Sequence, residues 1–216
     1  MGGGGKEAGD PRAREAAWLS FWFWGRGMSD LSNLPSQKDA IASALALYPA
    51  RPFAVSDIGS QTGWLKAAGH DARNLYVSGP MGLATSVALG LAAVRPNEQV
   101  LAIAGDGALA MNLTSLATIA GAKPKNLSIL LVDNRVYEFT ASVPTPTREL
   151  DWLGVGRAFF GQDQCMRLSD LTPERWAGVA RPAMIVADIA AAPSKPPALG
   201  MTPAQIRLEF LKASRA

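Results

Sequence analysis

The sequence has 216 residues, enough for one substantial domain. It is 48% hydrophobic and 18% charged, which is typical of a globular protein in water. The net charge of +3 is small and no stretch interleaves aromatic with basic residues, so nothing indicates nucleic-acid binding. The single cysteine, Cys165, excludes an intrachain disulfide framework or a cysteine-rich metal site in this sequence. We expect Cys165 to be a small buried residue.

Residues 1–27 differ in composition from the rest of the sequence. A glycine-rich start and a charged stretch lead into an apolar run over residues 16–24. This run is much shorter than the roughly 20 residues that a membrane span needs. Acidic residues also occupy the region that would be basic in a signal peptide. We therefore expect a disordered extension over 1–27, with Met28 as an alternative start, and a cytoplasmic protein without membrane contact.

The elements predicted from Ser36 onward alternate between strands and helices. The strand candidates are short apolar runs, as expected for a parallel sheet that is buried on both faces. We predict strands at 53–56, 75–77, 100–104, 127–132, 164–168 and 183–189. Helical spacing and capping residues predict helices at 37–48, 64–68, 84–94, 108–122 and 152–160 and after Thr172 and Thr202. The fold class is therefore α/β: a doubly wound, mostly parallel six-stranded sheet with helices on both faces.

One strand–turn–helix–strand unit carries the clearest chemistry. The turn Gly105-Asp106-Gly107 follows one strand and Asn134 follows the next. Carboxyl ends of parallel strands meet at one edge of a sheet, which brings a carboxylate and an amide oxygen together. Such oxygens suit Mg²⁺, and the helix N-terminus after Gly107 suits a phosphate group. The unit predicts a site for a metal and a diphosphate, unless it is an ordinary turn with a capping aspartate.

This unit resembles the thiamine-diphosphate motif, in which Gly-Asp-Gly is followed after about 25 residues by Asn-Asn. Residues 108–132 intervene here; Asp133 replaces the first asparagine, and Asn134 matches the second. The resemblance implies thiamine diphosphate as cofactor and Mg²⁺ held by Asp106, Asn134 and the backbone carbonyl of Val136. It implies the thiamine-diphosphate-binding fold for residues 28–192, followed by a linker and a C-terminal helix over 193–216.

A second turn, residues 78–82, is also similar to the thiamine enzymes. In that family a large apolar residue before the second glycine wedges beneath the cofactor and bends it into a V shape. Met81 matches this place, although a plain core methionine is the alternative. With both turns, the resemblance implies cofactor contacts for Gly79, Met81, Gly82, Gly105, Asp106, Gly107, Ala108, Asn134, Val136 and Tyr137.

The loop after the predicted metal site, residues 137–147, offers candidates for contacts with the substrate. Glu138 and Thr140 are candidate catalytic residues, with a solvated loop as the alternative. Relatives tend to have Ser-Thr-Gly-Gly-Gln where this chain has residues 139–143, which leaves the substrate open. His70 is predicted to be a solvated turn residue. Three basic residues are unranked candidates for binding an acidic substrate tail: Lys66, Arg73 and Arg135.

The glutamate that activates the cofactor lies, in this family, in a separate pyrimidine-binding domain for which this sequence has no room. The resemblance therefore implies a partner subunit and an α2β2 or larger assembly. Over about residues 35–190 the sequence resembles the β subunits that decarboxylate sulfopyruvate and the C-terminal half of phosphonopyruvate decarboxylases. That implies release of CO₂ from a small 2-oxo acid to give an aldehyde. Two alternatives remain. One is a carboligase of the acetolactate-synthase type, with which Asp57-Ile58-Gly59 and Trp64 are compatible. The other is a non-catalytic assembly or regulatory subunit.

Overall fold

The computed structural model describes residues 34–190 and 195–215. Helices and strands alternate along this part of the chain. The helices are α1 (Gln37–Ala46), α2 (Ser60–Ala68), α3 (Ala84–Val94), α4 (Asp106–Met111), α5 (Thr114–Ala122), α6 (Trp152–Phe160), α7 (Pro173–Ala177) and α8 (Pro203–Ala213). The strands are β1 (Phe53–Ser56), β2 (Asn74–Tyr76), β3 (Val100–Gly105), β4 (Leu127–Asp133), β5 (Val136–Tyr137), β6 (Val143–Pro144), β7 (Cys165–Arg167) and β8 (Ala183–Asp188).

Six of the strands form one sheet in the order β2-β1-β3-β4-β8-β7, and every pair in it is parallel. The central pair β3–β4 is aligned so that Gly105 lies opposite Val132. This register brings the residues that follow the two strands to the same edge of the sheet. The prediction of a mostly parallel six-stranded sheet is confirmed.

Both faces of the sheet are covered, as predicted for a doubly wound fold. In β3, Val100, Ala102 and Ala104 belong to one core cluster, and Leu101 and Ile103 belong to the other. Helices α3, α4, α5 and α6 pack on the first face, whereas α1, α2 and α7 pack on the second, and α8 contributes to both. Because alternate side chains are buried on opposite faces, the strands are continuously apolar.

Near the sheet edge, the structure departs from the predicted elements at two places besides the start of α2, which begins at Ser60 rather than at residue 64. The helix predicted over 108–122 begins at Asp106 and is divided into α4 and α5. At the division, Asn112 leaves the helical conformation, with φ at −138°, and its amide donates to the Gly82 carbonyl at 2.8 Å. The loop predicted over 137–147 contains the small antiparallel pair β5–β6. A tertiary hydrogen bond thus overrides a local helical pattern.

Several further predictions can be compared with the described residues. Cys165 is buried, as expected, and burial raises the pKa of its thiol to about 11. Thr202 and Gln205 form the predicted capping box of α8. Within residues 34–190 and 195–215, no helix has the length and apolar character needed to cross a bilayer. The extension predicted over 1–27 and the boundary predicted at residue 192 lie outside the described residues.

Candidate functional site

The candidate site lies at the carboxyl ends of β1, β2, β3 and β4. The strand order reverses at β1, because β2 lies on one side of it and β3, followed by β4, lies on the other side. Ligands of open α/β sheets bind outside the carboxyl ends of the strands at such a reversal. A cavity of about 830 Å³ opens there. The predicted site residues that line it are Gly79, Met81, Gly105, Asp106, Gly107, Ala108, Asn134, Val136, Tyr137, Glu138 and Thr140.

Asp106 is a buried carboxylate at the start of α4, with 2% of its surface exposed. The hydroxyl of Thr145 donates to its Oδ2 at 2.6 Å. Loss of hydration raises the pKa of Asp106, because burial disfavours the charged form. A cation beside this carboxylate would offset that cost.

The turn after β4 presents Asn134 to the same cavity. Arg135 takes a left-handed conformation, with φ at 61°, and Asn134 Oδ1 accepts the Val136 N–H at 3.1 Å. The carbonyl of Arg135 accepts the N–H of Thr145 at 2.9 Å. Thr145 therefore connects the turn that carries Asn134 with the carboxylate of Asp106.

Asp133 is a second buried carboxylate beside Asp106. It is 5% exposed, and its Oδ1 has no hydrogen-bond partner among the described residues. Burial, followed by the negative charge of Asp106, raises the pKa of Asp133 to about 7. The half-exposed Arg135 approaches it only to 4.0 Å, from Nε to Oδ2. Asp133 does not line the cavity, whereas the Asp106 carboxylate and the amide oxygen of Asn134 do, and these two oxygen donors fit a hard divalent cation such as Mg²⁺.

Glycines allow side chains to pack closely against the turn between β3 and α4. A Cβ at Gly107 would overlap the Tyr137 ring, and a Cβ at Gly105 would overlap the Gln61 amide. At the N-terminus of α4 the Asp106 carboxylate accepts from the N–H groups of Asp106 and Gly107, while the N-cap residue Gly105 offers no side chain, and the positive end of the helix favours an anion at the cavity floor. The arrangement fits a phosphate group held beside the cation.

Gly82, predicted as a cofactor contact, does not line the cavity. Its N–H donates to both carboxylate oxygens of Asp57, at 3.1 and 2.9 Å, and its φ is +85°. Asp57 is fully buried, which raises its pKa, and it also accepts from the N–H groups of Leu83 and Ala84. Asp57 therefore caps α3 and fixes the turn that carries Met81.

Other charged residues singled out in the sequence do not line the cavity. Arg73 pairs with Glu98 at 3.0 Å, and Lys66 donates to the backbone carbonyl of Leu199. Arg135 is half exposed beside Asp133 and Asp188. His70 contacts the Tyr76 hydroxyl and Glu209, at 2.9 and 3.2 Å, and so joins β2 to α8 with 39% of its side chain exposed.

Sequence reasoning missed three contributors to the site: Thr145, Gln61 and the segment 195–199. Thr145 is one of several threonines in a loop, and nothing local distinguishes it. Gln61 was missed because the sequence predicted that α2 begins at residue 64, whereas it begins at Ser60. The 195–199 segment lines the cavity although it follows the last strand. This segment packs against α2, where Pro196 lies directly on Gly63. The contact arises from tertiary packing alone.

Comparisons with known proteins place this site in a family. Residues 57–158 match the family described as "Thiamine pyrophosphate enzyme, C-terminal TPP binding domain". Sulfopyruvate decarboxylase subunit beta from Methanocaldococcus jannaschii is 37% identical over 113 residues, or 52% of this chain and 60% of that protein. The subunit of the same name from Methanothermobacter thermautotrophicus is 32% identical over 143 residues, or 66% of this chain and 76% of that protein. The chain thus spans about 60% of the length of the first of these relatives.

The fold is also similar to that of a solved protein with low sequence identity. Benzoylformate decarboxylase from Polynucleobacter necessarius superposes with a TM-score of 0.57 at 18% identity, covering 76% of this chain and 35% of that one. This likeness agrees with the parallel sheet and the helices on both its faces. By its matched residues and its likeness to the second relative, the chain belongs to the thiamine pyrophosphate enzymes, whose C-terminal TPP-binding domain it contains.

Proposed function

We propose that this chain is the β-type subunit of a thiamine-diphosphate-dependent 2-oxo acid decarboxylase. Its substrate is similar to sulfopyruvate or phosphonopyruvate, and the products are CO₂ and an aldehyde. The observation that carries the proposal is that Asp106 and Asn134 line one cavity in a chain of this family. The two residues lie 28 positions apart in the sequence, and the parallel β3–β4 register brings them to one edge.

The residues of the cavity divide naturally between metal and cofactor. Asp106, Asn134 and the carbonyl of Val136 would hold Mg²⁺, and the N-terminus of α4 would receive the diphosphate. Met81, on the turn fixed by Asp57, would support the cofactor from below. When bound, the cofactor supplies an acceptor for the electron pair left behind as CO₂ departs.

Residues after β4 would contact the substrate. Glu138 and Thr140 line the cavity beyond Tyr137, and the Thr140 hydroxyl donates to the Tyr137 carbonyl at 3.4 Å. Glu138 can exchange a proton with the reacting molecule, and Thr140 can orient its carboxylate by hydrogen bonding. Both residues are catalytic candidates in this proposal.

A partner subunit would complete the site. Asp106 and Glu138 are the carboxylates that line the described cavity, and this proposal assigns Asp106 to the metal and Glu138 to the substrate. The glutamate that activates the pyrimidine would therefore come from a second, α-type chain, in an α2β2 or larger assembly. Phe139 and Val143 lie beside this cavity edge with 62% and 52% of their surface exposed, and such apolar surface suits a covering partner. A cytoplasmic location is part of the proposal.

Reconstitution of the chain with its partner tests the proposal. With cofactor, Mg²⁺ and sulfopyruvate, we expect equimolar release of CO₂ and aldehyde. Asp106→Ala should abolish turnover and reduce Mg²⁺-dependent cofactor binding in calorimetry by at least about 100-fold. A longer, ligated product would instead indicate a carboligase. An assembly that forms without cofactor binding or turnover would indicate a non-catalytic subunit, and either result would overturn the proposal.

A further inference from the structure

The cavity has few charged side chains. Among the described residues that line it, Lys195 is the one basic side chain, whereas Asp106 and Glu138 are acidic. Lys66, Arg73 and Arg135, predicted from the sequence as candidates for an acidic substrate tail, do not line it and make contacts with backbone or with other carboxylates. Within the loop after β4, residues 136–147 contain no lysine or arginine. An anion entering this cavity therefore meets one candidate cation on the described surface.

The segment that carries Lys195 is fixed by contacts to α2. We call residues 195–199 the strap. A Cβ added at Gly63 would lie 2.7 Å from Pro196 Cβ and 2.7 Å from the Pro197 carbonyl, so the strap lies directly on the glycine. At the other end of the strap, Lys66 donates to the carbonyl of Leu199. These contacts hold the strap along the cavity edge, with the exposed Lys195 at its beginning.

We infer that Lys195 binds the tetrahedral oxyanion at C3 of the substrate, a sulfonate or a phosphonate, and so selects doubly anionic 2-oxo acids. The inference rests on the proposed function and deepens it. A lysine ammonium is a compact charge with three donors, which suits one oxyanion. The diphosphate of the cofactor is a second possible source of such oxygens.

The position of the strap favours the substrate over the cofactor as the anion. The groups assigned to Mg²⁺ and the diphosphate, Asp106, Asn134 and the α4 N-terminus, belong to β3 and β4 and the turns after them. The strap packs on α2, which follows β1, and so forms a different wall of the cavity. Because the proposed function assigns the diphosphate to the cation held at the ends of β3 and β4, Lys195 remains for the second acidic group of the substrate.

The test compares Lys195→Gln with the unchanged chain in the reconstituted assembly. We expect KM for sulfopyruvate to rise roughly tenfold or more, as for loss of a charge-assisted hydrogen bond. KM for pyruvate, which lacks the C3 anion, and the calorimetric affinity for thiamine diphosphate with Mg²⁺ should not change. Lys195→Arg should retain most of the selectivity. Lys125→Gln, an exposed lysine at the opposite end of β4, is the matched control and should behave as the unchanged chain.

A binding measurement separates this inference from the proposed decarboxylation. The probe is 3-sulfopropanoate, which has both anionic groups but no keto group, and calorimetry on the cofactor-loaded assembly measures its affinity. Lys195→Gln should weaken this binding by the same factor as it raises KM. Binding that depends on Lys195 without turnover of sulfopyruvate would sustain the inference and refute the decarboxylase.

Two results would overturn the inference. Equal KM changes for sulfopyruvate and pyruvate, together with weaker cofactor affinity, would assign Lys195 to the diphosphate. Unchanged KM and probe affinity would assign recognition of the tail to the partner subunit. Gly63→Ala provides a second variant, since the added methyl would displace the strap while leaving Lys195 in the sequence. We expect it to shift KM in the same direction as Lys195→Gln.

Discussion

Thr145 is the residue through which the two parts of the proposed metal site are coupled. Its hydroxyl donates to Asp106 at 2.6 Å, and its N–H donates to the carbonyl of Arg135, beside Asn134, at 2.9 Å. At 1% exposure, its side chain is held away from water. A hydrogen bond of this kind orients a metal ligand and restricts the rotamers that would misplace it. Thr145 is therefore a positioning residue for Asp106.

We expect Thr145→Val to weaken Mg²⁺-dependent binding of thiamine diphosphate about 10- to 100-fold, because valine preserves the shape but has no hydroxyl to orient the carboxylate. Calorimetry on the reconstituted assembly measures this affinity. Thr147→Val is the matched control in the same loop, since the Thr147 hydroxyl is buried without a hydrogen-bond partner among the described residues. If Thr145→Val bound cofactor as tightly as that control, the hydrogen bond would have no role in positioning Asp106.

At this scale, the sequence allowed part of the site to be predicted. Asp106 and Asn134 each follow an apolar strand, and parallel pairing of consecutive strands is enough to place them together. Thr145 and Lys195 could not be predicted in the same way. Thr145 lies 39 residues from its partner, and Lys195 reaches the cavity through the packing of prolines on α2. Neither contact leaves a periodic or local pattern in the sequence.

The turn between β2 and α3 is the element on which the position of Met81 depends. Gly82 has a φ of +85°, and a Cβ there would lie 2.8 Å from the Ala108 carbonyl. Its N–H is bound by Asp57, and its carbonyl accepts from Asn112. Both the backbone conformation and the surrounding space therefore require glycine at this position.

We expect Gly82→Ala to lower the free energy of unfolding by about 2–4 kcal/mol, since it combines a strained φ with overpacking. The melting temperature should fall by about 5–10 °C in a domain of this size. Gly90→Ala is the control: Gly90 lies inside α3 with nothing within 4 Å of an added Cβ. There alanine should raise stability by about 0.5–1 kcal/mol. Equal melting temperatures for the two variants would contradict the assigned role of Gly82.

Most elements were predictable from local pattern, and two exceptions have separate causes. Strands such as β1 and β3 match their predicted ranges to within a residue, because continuous apolar runs bounded by turns are unambiguous when they are short. The boundary between α4 and α5 was missed, since Asn112 turns out of the helix to bind Gly82, 30 residues earlier. The pair β5–β6 was missed as well, because two-residue strands carry no detectable periodicity.

At the scale of the whole molecule, three buried carboxylates contribute to how stability depends on pH. Burial raises the pKa values of Asp57, Asp106 and Asp133, the last to about 7. The folded state therefore holds protons that the unfolded chain has released between about pH 4 and pH 7. Since the unfolded state binds fewer protons in this range, the free energy of unfolding must fall as pH rises through it.

We expect urea denaturation in the presence of a chelator to show a loss on the order of 2 kcal/mol between pH 5 and pH 8, mainly from Asp133. Asp133→Asn removes the ionisable group while keeping its shape, and it restores the asparagine of the motif that the sequence resembles. Its stability should exceed that of the unchanged chain at pH 8 and match it more closely at pH 5. Equal pH slopes for the two proteins would show that Asp133 ionises as freely in the folded state as in the unfolded chain.

Mg²⁺ should reverse this pH dependence, because a bound cation favours the ionised form of the carboxylates around it. Cofactor and Mg²⁺ together should therefore stabilise the assembly more at pH 8 than at pH 5. The same titration on Asp106→Ala separates binding from general ionic effects, since that variant lacks the proposed ligand but keeps Asp133. If Mg²⁺ stabilised both proteins equally at pH 8, the cation would be acting elsewhere, and the surplus negative charge at the ends of β3 and β4 would need another explanation.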